Sequence, residues 1–297
     1  MIYERIDAQC FVRNEIKPLF PSDAPPKLRY ICKVTPESNT HHKRVMHAHE
    51  DLAELVLIFS GESDYLIHNK KYHVKAGDLL VYNSGVVHDE YAEPEDGVGF
   101  YCAAIGNLAL PGLPANTLCT KDAGFVFPTG ERFEEIRTLM EMMFFNLVTA
   151  EPDAERFCDS IMRALIDKAL VVIRAAAESA KPSGAGKEPS AIGQQVKDYI
   201  DQHYAEPLTL ESIGRALYMS PWYVSHVFKE MSGYSPIQYL LRRRIGEAQT
   251  LLMSTKEPIA EIALRVGYES QSHFNAQFTK QVGMPPNQFR KNYVIKR

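Results

Sequence analysis

Two stretches of the chain follow the same plan, and that repetition restricts the fold more than any other feature. In the first, Leu210, Ile213 and Leu217 are spaced for one face of a short helix. A turn at Tyr218-Met219-Ser220 follows. Ser220-Pro221 then opens a second helix, serine as cap and proline in the first turn, anchored by Val224 and Phe228. In the second stretch Ile259, Ile262, Ala263 and Val266 form the first helix. Gly267 to Ser270 forms the turn, and Phe274 and Phe278 anchor the second helix. The offset is 49 to 50 residues, an internal duplication rather than a long solenoid. Thr209 caps the first unit and Ser212 stands where a capping-box glutamate is usual.

Between the units, Pro236 to Met253 reads as one helix with Ile237, Leu240, Leu241, Ile245, Ala248, Leu251 and Leu252 along its buried stripe. Its length is roughly 27 Å at ~1.5 Å per residue. Successive major-groove segments on one face of a duplex lie ~34 Å apart. A rigid helix of this length suits two reading helices held near that separation. Gly246 inside it costs about 1 kcal/mol against alanine, which predicts a close packing contact. Ile192 to His203 reads as an opening helix. Phe228, Phe274 and Phe278 read as core.

These last residues resemble the AraC/XylS family of bacterial transcription regulators. Ala263, Gly267, Phe274, Phe278, Gly283 and Pro286 stand in register, and Arg244-Ile245, Ala248, Leu251 and Leu252 match the linker helix. Gly214 and Tyr218 depart from the pattern, where alanine and glycine are usual. The resemblance implies base contacts from Trp222, Ser225 and His226 in the first reading helix, and from Gln271, Ser272, His273 and Asn275 in the second. Gln and Asn suit adenine edges, and Ser and His donate or accept in the groove. Lys229, Arg242, Arg243, Arg244, Lys280, Arg290 and Lys291 are the expected phosphate contacts. Charge agrees. Residues 191–297 hold 13 Lys and Arg against 9 Asp and Glu, a net +4, while the preceding residues hold 20 against 28, a net −8.

The N-terminal half has a different grammar. Short apolar runs at Leu28–Val34, Glu54–Phe59, Ser63–His68, Lys71–Val74, Asp78–Tyr82 and Val98–Ile105 are separated by turn residues such as Ser60-Gly61, Ala76-Gly77 and Ser84-Gly85. This predicts an all-β sandwich or barrel. His47-x-His49, Glu54, Gly61, Gly77, Gly85 and His88 resemble the two motifs of the cupin family, whose jelly roll can hold a metal with three histidines and a glutamate. Asn83 and Ala92 depart from the second motif. The resemblance places His47, His49, Glu54 and His88 at the ligand positions, for zinc, manganese, iron or nickel. Residues i and i+2 of a strand face one way, so both histidines can point inward. A polar organic effector in the same barrel, with Arg44, Tyr65, Tyr82 and Tyr101 as further walls, is a second occupant. A purely structural polar core is a third.

From Glu131 the apolar period becomes helical: Phe133, Ile136, Leu139, Met140, Met143, Phe144 and Leu147, then Phe157, Ile161, Leu165, Ala169, Val172 and Ile173. The expected class is multidomain. An all-β cupin-like barrel spans 1–130, and helices that pack on it and pair with a second copy span 131–180. A Pro/Gly/Ser-rich linker spans 181–190, and an all-α double helix-turn-helix domain spans 191–297. Five cysteines, scattered and without C-x-x-C spacing, read as reduced thiols. No apolar run reaches the ~18 residues of a membrane span, and the start lacks a signal sequence, so a cytoplasmic chain is expected. The resulting reading is a non-enzymatic, homodimeric regulator that binds promoter DNA and a small effector, a carbohydrate or related metabolite, with RNA polymerase as a further partner. A metal-binding sensor, or a metal-dependent cupin isomerase or dioxygenase, is the alternative.

Overall fold

The computed structural model describes residues 19–20, 24–39, 44–68, 70–89, 97–150, 152–179 and 191–293. Cys10, Ala92 and the expected linker at 181–190 lie outside them. Cys32, Cys102, Cys119 and Cys158 are free thiols.

Among the described residues, eight strands and a short helix make up the first part: β1 (Lys27–Val34), α1 (Pro36–Asn39), β2 (Leu52–Ser60), β3 (Glu62–Ile67), β4 (Lys70–Lys75), β5 (Asp78–Tyr82), β6 (His88–Asp89), β7 (Gly99–Gly106) and β8 (Val126–Pro128). They form a five-stranded sheet in the order β1-β7-β2-β5-β8 facing a three-stranded sheet in the order β4-β3-β6. All paired strands are antiparallel. β2 is apolar almost throughout because both of its faces are covered. Val56 and Ile58 point into the space between the sheets with Tyr65, Ile67 and Val74. Ala53, Leu55 and Leu57 point the other way, under two helices. That double burial explains a nearly continuous hydrophobic run in an antiparallel sheet.

The covering helices are α2 (Phe133–Thr149) and α3 (Ala154–Ser179). Ile136, Met140 and Met143 of α2 and Cys158, Met162, Leu165, Ile166 and Ala169 of α3 are buried against the sheet. The stripe expected on α3 is buried at Leu165, Ala169, Val172 and Ile173; at its start Phe157 is exposed, and Cys158 takes the inward position. No described helix is long and apolar enough to cross a membrane.

The second part is helical: α4 (Ala191–His203), α5 (Leu210–Ala216), α6 (Pro221–Ser232), α7 (Pro236–Ser254), α8 (Ile259–Arg265), α9 (Gln271–Val282) and α10 (Pro286–Tyr293). Side chains at the helix starts satisfy free amides. Ser220 accepts from Tyr223 N, and Ser270 accepts from His273 N. The Thr209 box is complete without a glutamate, because the Ser212 hydroxyl accepts from the Thr209 amide at 2.9 Å. The two turns share one backbone requirement. Gly267 has φ +89°, and its counterpart Tyr218 has φ +56°. A side chain is tolerated at 218 because it projects into solvent, 98% exposed.

α7 is the axis of this part. Tyr239, Leu240, Ile245, Ala248, Leu251 and Leu252 are buried within a core shared with Phe228, Phe274, Phe278 and Phe289. That core also contains Val45, Met46, Ala48 and Val87 of the β part. Gly246 is the point of closest approach. A Cβ placed there would lie 1.9 Å from Met46 O and 2.7 Å from Val45 O. The predicted close contact is therefore with backbone of the barrel, not with a neighbouring helix.

Phe274 lies at 0% exposure between Tyr268 and Phe278. Phe274→Ala is expected to cost about 3–5 kcal/mol, read as a lowered urea midpoint of the helical part with little change in slope.

Candidate functional site

In the segment before β2 the side chains of residues 46–49 alternate. Met46 and Ala48 face α7, whereas His47 and His49 face the space between the sheets. A two-way backbone bridge joins His47 to His88, with N–H to O distances of 3.0 and 2.9 Å. Glu54 shares the inward parity of Val56 and Ile58 on β2. The four side chains meet: one ligand atom from each of His47, His49, Glu54 and His88 lies within 4.8 Å of all the others. His47, Glu54 and His88 are 1–3% exposed.

The backbone sets the chemistry of the rings. His47 Nδ1 lies 3.0 Å from Val45 O, and His88 Nδ1 lies 2.9 Å from Val86 O. A carbonyl only accepts, so each Nδ1 carries a proton; in the neutral ring Nε2 is then the acceptor. His88 Nε2 is 3.2 Å from Glu54 Oε2, and His49 Nε2 is 3.5 Å from Glu54 Oε1. Burial, reinforced by the Arg44 charge, holds His47 well below the ordinary imidazole range. Burial lowers His49 to about 4. Burial alone would raise the Glu54 carboxyl; His49, His88 and the Tyr30 hydroxyl outweigh it and hold Glu54 below the usual carboxylate range. Three imidazoles and one carboxylate therefore converge on a small buried volume. Such a donor set fits a divalent first-row cation.

Of the other expected pocket residues, Tyr82 stacks on His88 with ring centroids 3.8 Å apart, and Tyr65 is fully buried between the sheets. Tyr101 is a correction. It has the outward parity of β7, packs with Phe59 and Phe144, and donates its hydroxyl to Glu141 on α2. The sheet separates it from Glu54. Arg44 lies near the imidazoles, but its Nη2 donates to Thr250 Oγ1 on α7 at 2.9 Å. Two residues were not anticipated. The Tyr30 hydroxyl donates to Glu54 Oε1, and Cys102 Sγ lies 3.4 Å from the same oxygen. The register Cys32↔Cys102 and Val56↔Cys102 would have placed Cys102 inward, had the strand pairing been known.

On α6 and α9 most of the residues expected to contact bases are exposed. On α6, Trp222 is 73% exposed and stacks in parallel on His226, with ring centroids 5.2 Å apart. Trp222, Ser225, His226, Lys229 and Glu230 line a surface groove of about 400 Å³. On α9, Gln271, Ser272, His273 and Lys280 are exposed, and Asn275 is half-buried.

Residues 32–166 match the family model of the AraC-like ligand binding domain, and residues 213–292 match a helix-turn-helix domain model. The HTH-type transcriptional regulator YdiP of Escherichia coli K12 is 26% identical over 288 residues, 96% of this chain and 92% of its own length. The chain belongs to the AraC family of transcriptional regulators. The arabinose operon regulatory protein of Escherichia coli K12 is 26% identical over 246 residues, covering 80% of this chain and 79% of its own. Among solved structures, the C-terminal domain of AraT, a response regulator from Geobacillus stearothermophilus, is 40% identical. It covers 37% of this chain and 93% of its own, with a TM-score of 0.37.

In this AraC-family regulator, four of the seven expected phosphate contacts are engaged inside the protein. Arg243 is buried between Asp201 and Glu247, over the Tyr204 ring. Arg244 donates to Tyr204 O and Glu206 O, both at 2.6 Å. Arg290 donates to Glu257 O at 2.6 Å and Leu252 O at 3.3 Å. Arg242 pairs with Asp89 of the barrel. Arg243 and Arg244 follow Tyr239 and Leu240 by four residues, so they fall on the buried stripe of α7, and their charge must be neutralised or hydrogen-bonded there. Lys229, Lys280 and Lys291 remain exposed.

The two classes separate experimentally. Arg244→Ala is expected to lower stability by about 1.5–3 kcal/mol for each charged hydrogen bond lost, measured by chemical denaturation, with the salt slope of DNA binding unchanged. Lys280→Ala is expected to leave stability unaltered and to reduce that slope by about 0.9 for the phosphate contact removed.

Proposed function

We propose that this AraC-family regulator reads promoter DNA with α6 and α9 and senses a divalent first-row metal ion held by His47, His49, Glu54 and His88. The observation that carries the metal reading is the geometry of the cluster. Four donor atoms within 4.8 Å of one another leave room for an ion bonded at about 2.0–2.2 Å and not for a sugar ring between them. The fixed Nδ1–H groups add to this, since they orient the metal-binding nitrogens in advance. A bound cation would compensate the Glu54 charge and be coordinated by the imidazole nitrogens. Zinc, manganese, iron and nickel all suit this donor set.

A carbohydrate effector is the second reading. The extended match to the arabinose operon regulatory protein supports it; the side chains filling the space around Tyr65, Val56 and Ile58 weigh against a large ligand at the cluster itself. The enzyme alternative has the cluster alone behind it, whereas relatives matched along the chain are transcriptional regulators. Homodimerisation is supported by an exposed apolar row on the helices, Met142, Phe145 and Val148 on α2 with Phe157 and Val171 on α3. A cytoplasmic location and contact with RNA polymerase follow from the regulatory role.

Base reading falls to Trp222, Ser225 and His226 on α6 and Gln271, Ser272, His273 and Asn275 on α9. Gln271→Ala is expected to cost about 1–3 kcal/mol at one base position and to relax the preference there, measured by titrating single-substituted duplexes. For the sensor, elemental analysis of the purified protein is expected to find equimolar metal, lost in His49→Ala and in Glu54→Gln. Wild-type protein that stays metal-free after dialysis against zinc, manganese, iron and nickel in turn would sink the metal reading. A thermal shift with a sugar, kept in His49→Ala, would favour the carbohydrate reading instead.

A further inference from the structure

One segment carries both residues of the cluster and the contact with the helical part. Residues 46 to 49 alternate in direction: His47 and His49 turn into the cluster, and Met46 and Ala48 turn, with the preceding Val45, into the core around α7. The partner segment repeats this, since His88 faces the cluster while Val87 enters the α7 core. The His47–His88 backbone bridge ties the two segments together. Both segments therefore carry side chains of the cluster and of the α7 core.

The contact is specific rather than merely apolar. Val45 N donates to Gln249 Oε1 at 2.9 Å, and Gln249 is fully buried. Arg44 Nη2 donates to Thr250 Oγ1. Asp89, 3% exposed and adjacent to His88, pairs with Arg242. At the centre, the carbonyls of Val45 and Met46 lie against Gly246, where any Cβ would collide with backbone. Glycine is a poor choice for the middle of a long helix, and the barrel's approach accounts for it. The reading faces of α6 and α9 stay exposed in this arrangement, so docking does not cover them. It fixes how α7, the helix that joins them, is held.

We propose that the junction between residues 44–49, Asp89 and α7 is the interface that couples occupation of the His47/His49/Glu54/His88 site to DNA affinity, with Gly246 as the residue that permits it. This rests on the metal reading of the cluster. Binding draws the four donors to one ion and so sets the backbone of 45–49 and 88–89. That backbone in turn holds or releases α7. The device acts in both directions: whatever loading does to DNA affinity, DNA does to metal affinity by the same factor.

The test uses full-length protein, stripped with chelator or loaded with Zn²⁺, and a duplex selected from random sequence by the wild type. Three quantities are measured: bound zinc, hydrogen exchange of the Val45 amide, and the dissociation constant of the duplex. In the wild type, loading is expected to change DNA affinity by a factor of about 5–150, the usual range for coupled sites. Gly246→Ala favours the α7 helix while excluding the barrel. It is expected to bind equal zinc, to lose protection at the Val45 amide, and to show no difference in DNA affinity between loaded and stripped protein. Asp89→Asn, which leaves α7 untouched, is expected to reduce the wild-type factor and decides the matter should Gly246→Ala fold poorly. Wild-type protein that loads zinc with no change in DNA affinity overturns the coupling, as does a variant pair that keeps the full wild-type factor. Wild-type protein that binds no zinc overturns the reading of the site itself, and elemental analysis alone distinguishes that failure from the other.

Discussion

Helix α7 has almost no free face, and most of the molecule is arranged by that fact. It packs on α4 and α6 along one side, on α8, α9 and α10 along another, and on the barrel through Gly246. A helix so enclosed cannot leave a charge unanswered, because an unpaired ion in a low-dielectric interior costs several kcal/mol. Arg243 and Arg244 are answered by Asp201, Glu247 and the carbonyls of Tyr204 and Glu206. These bonds reach the end of α4 and the connection beyond it, so they orient the opening helix as well. The two reading helices then inherit their spacing from one rigid element.

The barrel obeys a second constraint, the period of two. β2 is buried on both faces, so each of its residues belongs either to the space between the sheets or to the layer under α2 and α3. Glu54 falls on the inner side and Leu55 on the outer. The same alternation at residues 46–49 puts imidazoles on one face and the α7 contact on the other. Burying a carboxylate is costly, and the site compensates with the Tyr30 hydroxyl, two imidazoles and the nearby Cys102 thiol. A buried polar group of this kind, held in a dry interior, is tuned by few contacts and responds strongly when one changes.

Much of this was legible in the chain. The strands from Glu54 to Ile105 followed from alternation and turn residues, and the helices from apolar spacing and caps. The convergence of His47, His49, Glu54 and His88 followed from the i, i+2 rule and the cupin resemblance. Other features were not legible. Whether Tyr101 faced the cluster depended on the parity of β7, which only the register with β2 settles. Tyr30 and Cys102 reached Glu54 through pairing with strands distant in sequence. Arg243 and Arg244 carried a signal, their place on the stripe of α7, but their charge argued for the surface until partners from α4 and its loop were in view.

The sequence by itself determined two parts with different periods, the pair of reading helices and the rigid helix between them. Local forces suffice for these, since caps, turns and periodic apolar residues act within a few positions of one another. Only the tertiary structure decided which charges were free and what lay against Gly246. Glycine in a helix announces a close neighbour without naming it. That the neighbour was the carbonyl of Met46, one residue from a histidine of the cluster, depends on two segments two hundred positions apart coming into contact, and no local pattern encodes such a meeting.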